Sequence, residues 1–205
     1  MQPFTTLTAT ACPIALENVD TDQIIAARFM SRSRTEGYGG YLLHDLRFGA
    51  DGASKNFILD DPRYAGAAIL VTRRNFGTGS SREAAVYALW DYGIRCVIAP
   101  SFGDIFAANA VKNGLLPAVL PEEAIEEILD ALATFERPGL SVELETQTVR
   151  SGNSHHSFRI DPVRRQQLLN GWDDLDLTML HDKEIATFAA RRRATHPWIV
   201  PVNRS

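Results

Sequence analysis

Arg74-Asn75-Phe76-Gly77-Thr78-Gly79-Ser80-Ser81-Arg82-Glu83 is the stretch on which the fold turns. Immediately before it, Ala67-Ala68-Ile69-Leu70-Val71 is an apolar run that predicts a buried strand. After it, Ser81 to Tyr92 predicts a helix, and Gly93 supplies its C-cap. The same alternation continues downstream. Cys96-Val97-Ile98-Ala99 predicts a strand, Gly103 to Lys112 a helix closed by Asn113-Gly114, and Leu115 to Leu120 a further strand. Pro121-Glu122-Glu123 then opens a helix with proline and acids in its first turn, as helix starts prefer. Strand–helix units in succession predict parallel strands joined by helical crossovers, strongest between residues 65 and 135.

Upstream, Phe4 to Leu16 predicts one or two strands, Glu17 to Asp22 a polar turn, and Gln23 to Phe29 a helical turn. Residues Ser31 to Gly40 hold little to bury and predict a mobile surface loop of the kind that carries recognition. Downstream of Gly139, Val142-Glu143-Leu144-Glu145 and Ser157-Phe158-Arg159-Ile160 alternate around Ser151-Gly152-Asn153, which predicts a β-hairpin. Asp161-Pro162 opens a helix to Asn170-Gly171, and His181 to Arg193 predicts a last amphipathic helix. The expectation is one α/β domain over residues 1–205, with a mixed sheet and a C-terminal extension from about residue 140.

A chain of 205 residues, 45% hydrophobic and 22% charged, can bury a core without staples. Its net charge of −4 argues against a nucleic-acid footprint, and Arg191-Arg192-Arg193 reads as the solvated end of a helix. With only Cys12 and Cys96 there is neither a disulfide framework nor a four-ligand zinc set. No apolar run reaches membrane-spanning length, and the first residues lack a signal-peptide pattern, so a cytoplasmic protein is expected. The five histidines show no ligand spacing.

The chemistry concentrates at the strand-to-helix junction. Gly77 and Gly79 allow backbone angles and close approaches that a Cβ would block. A helix N-terminus with its unpaired N–H groups favours an anion, and Ser80, Ser81 and Arg82 add two hydroxyls and a guanidinium at that spot. A guanidinium can clamp a carboxylate with two parallel bonds, so a di- or tricarboxylate is a suitable ligand. Ser80-x-x-Glu83 fits a capping box equally well, and the two readings are compatible. Asp20-Thr21-Asp22 presents a second choice, a divalent-metal pair or an N-cap, of which the cap is the simpler.

Taken with Asn18-Val19-Asp20-Thr21-Asp22-x-Ile24-Ile25, Val97-Ile98-Ala99-Pro100-Ser101-Phe102-x-Asp104-Ile105-Phe106, Asn113-Gly114-Leu115-Leu116-Pro117 and the segment from Gly171 to Ile185, the run resembles a known family. The match is to the swivelling β/β/α domain of the aconitase superfamily, in the form of the isopropylmalate dehydratase small subunits, and it spans nearly the whole chain. The resemblance implies that Ser80 is the catalytic base and that Ser81 and Arg82 hold a substrate carboxylate. It further implies that Asn75, Gly77, Gly79, Asp20, Thr21 and Asp22 shape and orient the loop. The segment at about 30–41 corresponds to the family's substrate-recognition loop, with Arg34 and Thr35 as candidates for reading the substrate side chain and Arg32 as competitor. The implied activity moves a hydroxyl between neighbouring carbons by dehydration and rehydration through isopropylmaleate. A 4Fe–4S cluster would act on the leaving hydroxyl, and two cysteines far apart cannot ligate it. A large iron–sulfur partner subunit is therefore expected, with no metal on this chain.

Four positions depart from the family pattern: Ala84 replaces the usual histidine, and Thr78, Ala26 and Arg74 are also unusual. On a continuous helix Ala84 would share a face with Ser80. These departures leave two alternatives, a related hydro-lyase acting on a citraconate- or dimethylmalate-type substrate, or a non-catalytic carboxylate-binding subunit.

Overall fold

Thr6–Ile14 becomes more buried toward its C-terminal end and forms β1, the strand that holds the two halves of the sheet together. The computed structural model describes residues 1–134 and 138–199. After β1 come the short helices α1 (Thr21–Ile24) and α2 (His44–Arg47), linked through 3-10 turns, and then β2 (Ile69–Thr72). α3 (Glu83–Tyr92), β3 (Cys96–Ala99), α4 (Asp104–Lys112), β4 (Leu116–Val119) and α5 (Glu122–Thr134) follow in the expected alternation. β5 (Gly139–Glu143), β6 (Thr148–Ser151) and β7 (Ser154–Ser157) then form a meander. Helices α6 (Pro162–Asn170), α7 (Asp174–Met179) and α8 (Asp182–Thr195) complete the order.

The seven strands make one mixed sheet in the order β4-β3-β2-β1-β5-β6-β7. The pairs β1–β2, β2–β3 and β3–β4 are parallel, whereas β5 to β7 add on antiparallel. The register sets Ala11 beside Ile69, Ile69 beside Cys96 and Cys96 beside Leu116. Side chains of one strand alternate between faces. Cys12, Ile14, Leu70, Val97 and Ala99 therefore pack with Ala85, Val86 and Leu89 of α3. Ala11, Ile69, Val71, Cys96 and Ile98 pack on the other face with Ile125, Ile128 and Leu132 of α5. Covering on both faces is why these strands read as continuous apolar runs.

Several expectations need correction. The predicted hairpin is a three-stranded meander continuous with the sheet, because Gln147 turns the chain at φ +53° and adds β6. The run from Ser157 to Ile160 is then mostly beyond β7, with Arg159 making one bridge to Val119. The last helix is not amphipathic in use: α8 buries none of its residues. The unexpected α7 starts from a capping box between Asp173 and Asp176. Finally, the 31–40 loop has more to bury than its composition suggests. Tyr38 is buried, and a Cβ on Gly39 would lie 2.7 Å from the Asp91 backbone, so the loop lies directly on the end of α3.

Candidate active site

The loops after β1, β2 and β3 meet at the carboxyl ends of the parallel strands, where open α/β sheets place their ligands. The central loop, residues 73–82, is bound to both neighbours through its backbone. On the β1 side, Asn18 N–H donates to the Arg74 carbonyl (2.9 Å), Gly77 N–H to Val19 (2.7 Å) and Thr21 N–H to Thr78 (2.9 Å). On the β3 side, Phe76 N–H donates to Ser101 (3.1 Å) and Gly103 N–H to Phe76 (2.9 Å). Asn75 reinforces both joins. Its amide donates to Asn18 Oδ1 (2.7 Å), its Oδ1 accepts from Ser101 Oγ (3.1 Å), and its N–H donates to that same Oγ (2.9 Å).

Asn75, Gly77 and Gly79 all have left-handed backbone, at φ +62°, +71° and +93°. Asparagine is one of the few residues with a side chain that tolerates it. Gly77 is required on a second ground, since a Cβ there would fall 2.2 Å from Phe106 Cγ. Phe106 stacks with Phe102 and meets Phe76 edge-on, so the loop rests on a packed aromatic floor.

This frame fixes the orientation of Ser80. Its carbonyl accepts from Thr21 Oγ1 (2.9 Å) and from Arg82 N–H (2.8 Å), while the residue itself is exposed. The Ser80 hydroxyl and the N–H groups of Gly79, Ser80 and Ser81 have no partner among the described residues. Arg82 forms an ion pair through Nη1 with Asp22, leaving its other N–H groups for a ligand. The neighbouring cations are already neutralised, Arg73 by Glu126 and Arg74 by Glu17. Arg73 in turn holds the Glu126 carboxyl below its ordinary range. Arg82 is also paired with a carboxylate, but through Nη1 alone, and it directly follows the open N–H donors of Gly79 to Ser81 in the chain.

Asp20 caps α1. Its Oδ1 accepts from Gln23 N–H (2.7 Å) and Gln23 Oε1 accepts from the Asp20 N–H (3.0 Å). Asp20 and Asp22 therefore have separate duties, and among the described residues no group of three or more His, Cys, Asp or Glu could hold a metal ion. The capping box proposed for Ser80 and Glu83 does not form. α3 begins at Glu83 with Arg82 at its N-cap, and Glu83 instead accepts from Asn113 Nδ2 (2.9 Å). Ser80 lies before the helix, so the helical-face argument for Ala84 fails. Ala84 packs half-buried against the core.

Arg34 is not brought to Ser80 by any contact; it binds Asp91 of α3 (3.1 Å) and stacks on the Tyr87 ring at 3.9 Å. Asp91 also accepts from Tyr38 N–H (3.2 Å), so it clamps the 31–40 loop at two points. Thr35 bonds Ser33, whose side chain caps that turn. Arg32 pairs loosely with Glu36 at 3.8 Å. The sequence reading missed Asn18, Ser101 and Asp91. The first two had an available signal, since each sits just past a strand adjoining the central one.

The cysteines do not suit a cluster. Cys12 and Cys96 are fully buried on opposite faces of the sheet, and burial pushes both thiols up, Cys12 to about 12. A cluster needs accessible thiolates converging on one point.

Residues 1–123 match the aconitase C-terminal domain family, and residues 174–202 match the family described as the C-terminal domain of the 3-isopropylmalate dehydratase small subunit. The chain is 45% identical over 200 residues to a 3-isopropylmalate dehydratase small subunit of Rhodospirillum centenum, covering 97% of this chain and 98% of that one. A protein of the same description from Gluconacetobacter diazotrophicus is 46% identical, covering 97% of each. The fold also resembles a crystal structure of 3-isopropylmalate dehydratase (leuD) from Methanocaldococcus jannaschii. There the TM-score is 0.62 at 22% identity, over 89% of this chain and 98% of that one.

Proposed function

The chain belongs to the family of 3-isopropylmalate dehydratase small subunits, and on that premise we propose that the 73–82 loop is its half of a shared active site. The reaction is the interconversion of 2-isopropylmalate and 3-isopropylmalate by loss and return of water in leucine biosynthesis. Whole-length similarity at 45–46% identity favours this reading over a citraconate- or dimethylmalate-type hydro-lyase. The swivelling domain would act with a large subunit in the cytoplasm. The 4Fe–4S cluster of the family's chemistry would belong to that subunit, because the two buried thiols here cannot ligate it.

The observation that carries the proposal is the exposed Ser80 hydroxyl beside unpartnered N–H donors, with Arg82 next in the chain and held by Asp22. The donors and guanidinium bind a substrate carboxylate through Ser81 and Arg82. Ser80 then lies against the neighbouring carbon and takes its proton. A neutral serine is a weak base in water, so the Ser80 oxygen must be activated by charge and dehydration supplied when the second chain closes the site. Asp22 fixes Arg82 against rotation, and Thr21 fixes the Ser80 carbonyl. Arg34 and Thr35 would contribute to substrate choice by setting the shape of the 31–40 loop, Arg34 through its hold on Asp91.

The test is anaerobic co-purification with the large subunit and measurement of isopropylmaleate absorbance. The complex should turn over isopropylmalate, and Ser80→Ala should reduce kcat by at least about 100-fold while the complex still forms. Turnover of citraconate or dimethylmalate in the absence of turnover of isopropylmalate would overturn the substrate assignment. Retained kcat in Ser80→Ala would overturn the role of Ser80.

A further inference from the structure

We infer that residues 174–199 form a docking arm whose apolar surface is covered by the large subunit, at the end of the sheet away from Ser80; the choice of occupant rests on the function proposed above. Neither α7 nor α8 buries a single residue, although both are built with large apolar side chains. Leu175, Met179, Leu180, Ile185, Phe188 and Trp198 expose between 45% and 75% of their surface. Single exposed apolar residues are ordinary, but six within one short segment mark an interaction surface. At roughly 100 Å² each they would contribute about 600 Å², most of the ~800 Å² per partner of a standard interface.

The arm leaves the sheet at a defined place. The Phe4 N–H donates to the Leu168 carbonyl (2.8 Å) and the Met1 amine to that of Gly171 (2.8 Å), so α6 ends beside the start of β1. Lys112, at the end of α4, then pairs with Asp174 at the start of α7 (2.7 Å). These contacts are at the amino ends of the parallel strands, opposite the loop that carries Ser80. A partner touching both ends must span the length of β1, nine residues or about 30 Å. That span is about the diameter of a small domain, so one folded partner can reach both ends.

The division of the family matches points the same way. Residues 1–123 match a module described as the C-terminal domain of aconitase, whereas residues 174–202 match one described for the separate small subunit. The arm is thus the segment whose match is described by the small subunit, a name that implies a large partner chain. Two separated contacts raise the effective concentration of the second once the first has formed, which does the work of a covalent link.

Ile185→Asp/Phe188→Asp tests this in the full chain, since both positions are exposed and the helix should persist by circular dichroism. Affinity for the purified large subunit should fall by at least about 30-fold, as for loss of central interface anchors. The kcat at saturating variant should stay within about twofold of wild type. Ser80→Ala should show the reverse, normal affinity and lost kcat. Unchanged affinity of the double variant overturns the proposal. So does sedimentation showing that the chain alone dimerises through this surface and that the variant abolishes only that dimer. A complex that forms through the arm but has no isopropylmalate activity would instead refute the proposed function.

Discussion

Gly77→Ala is the sharpest probe of the loop, because two separable costs meet at one position. The left-handed φ of +71° costs an L-residue about 1–2 kcal/mol. The added Cβ would also sit 2.2 Å from Phe106 Cγ, against the 3.4 Å at which ordinary contact begins. The ring must therefore move by more than 1 Å, yet Phe106 is 3% exposed and held between Phe76 and Phe102. Overpacking of this kind costs about 1–3 kcal/mol, so the total is about 2–5 kcal/mol from the ~5–15 kcal/mol available to a typical domain. Gly79→Ala is the internal control. Its φ of +93° carries the same conformational cost, but its nearest neighbour would be 3.5 Å away. Urea unfolding should rank wild type above Gly79→Ala and Gly79→Ala above Gly77→Ala, the last step by about 1–3 kcal/mol. Phe106→Ala, which removes the Cγ and Cδ2 that the new Cβ would meet, should recover part of the Gly77→Ala loss in a double-mutant cycle. Equal losses at the two glycines, or no coupling to Phe106, would refute the packing argument.

Three further outcomes follow from the same geometry. Arg47 is buried, donating to both oxygens of Asp60 and to the Leu42 carbonyl (3.2 Å), so Arg47→Met should strand those acceptors and cost about 2–4 kcal/mol in urea unfolding; a loss below ~1 kcal/mol would exclude the pairing. Arg28 beside Asp45 holds its carboxyl down to about 2 from 3.8. A lowered carboxylate contributes stability above the unfolded value that disappears as pH falls from about 4 to 2, so Asp45→Asn should flatten the stability profile there, modestly because the pair is half-exposed; an unchanged acid limb would argue against the pair. The buried thiols should react with a disulfide reagent at pH 8 only as fast as the chain opens, and stability should decline as pH rises above 9, where the unfolded thiols ionise while Cys12 stays neutral to about 12. Rapid stoichiometric labelling of the native protein would contradict that burial.

The legible part of this protein is the part whose physics is local. The parallel half could be read because each strand is covered on both faces, leaving apolar runs punctuated by Gly93 and Gly114. Asp20 and Asp161 could be read as helix starts because a cap bonds within its own first turn. The importance of residues 74–83 was also visible, since glycines, serines and arginine were adjacent. What those residues do to one another was settled only by contacts distant in sequence. Ser80 could serve as a cap or as an open hydroxyl, and its carbonyl bond to Thr21, 59 residues away, turned it outward. Arg34 could meet a substrate, but Asp91, 57 residues away, holds it on α3. The meander's extra strand and the uncovered α8 were equally hidden, because periodicity records an apolar residue and not whether anything lies against it. Local bonding thus determined the elements, and the convergence of three strand ends determined the site.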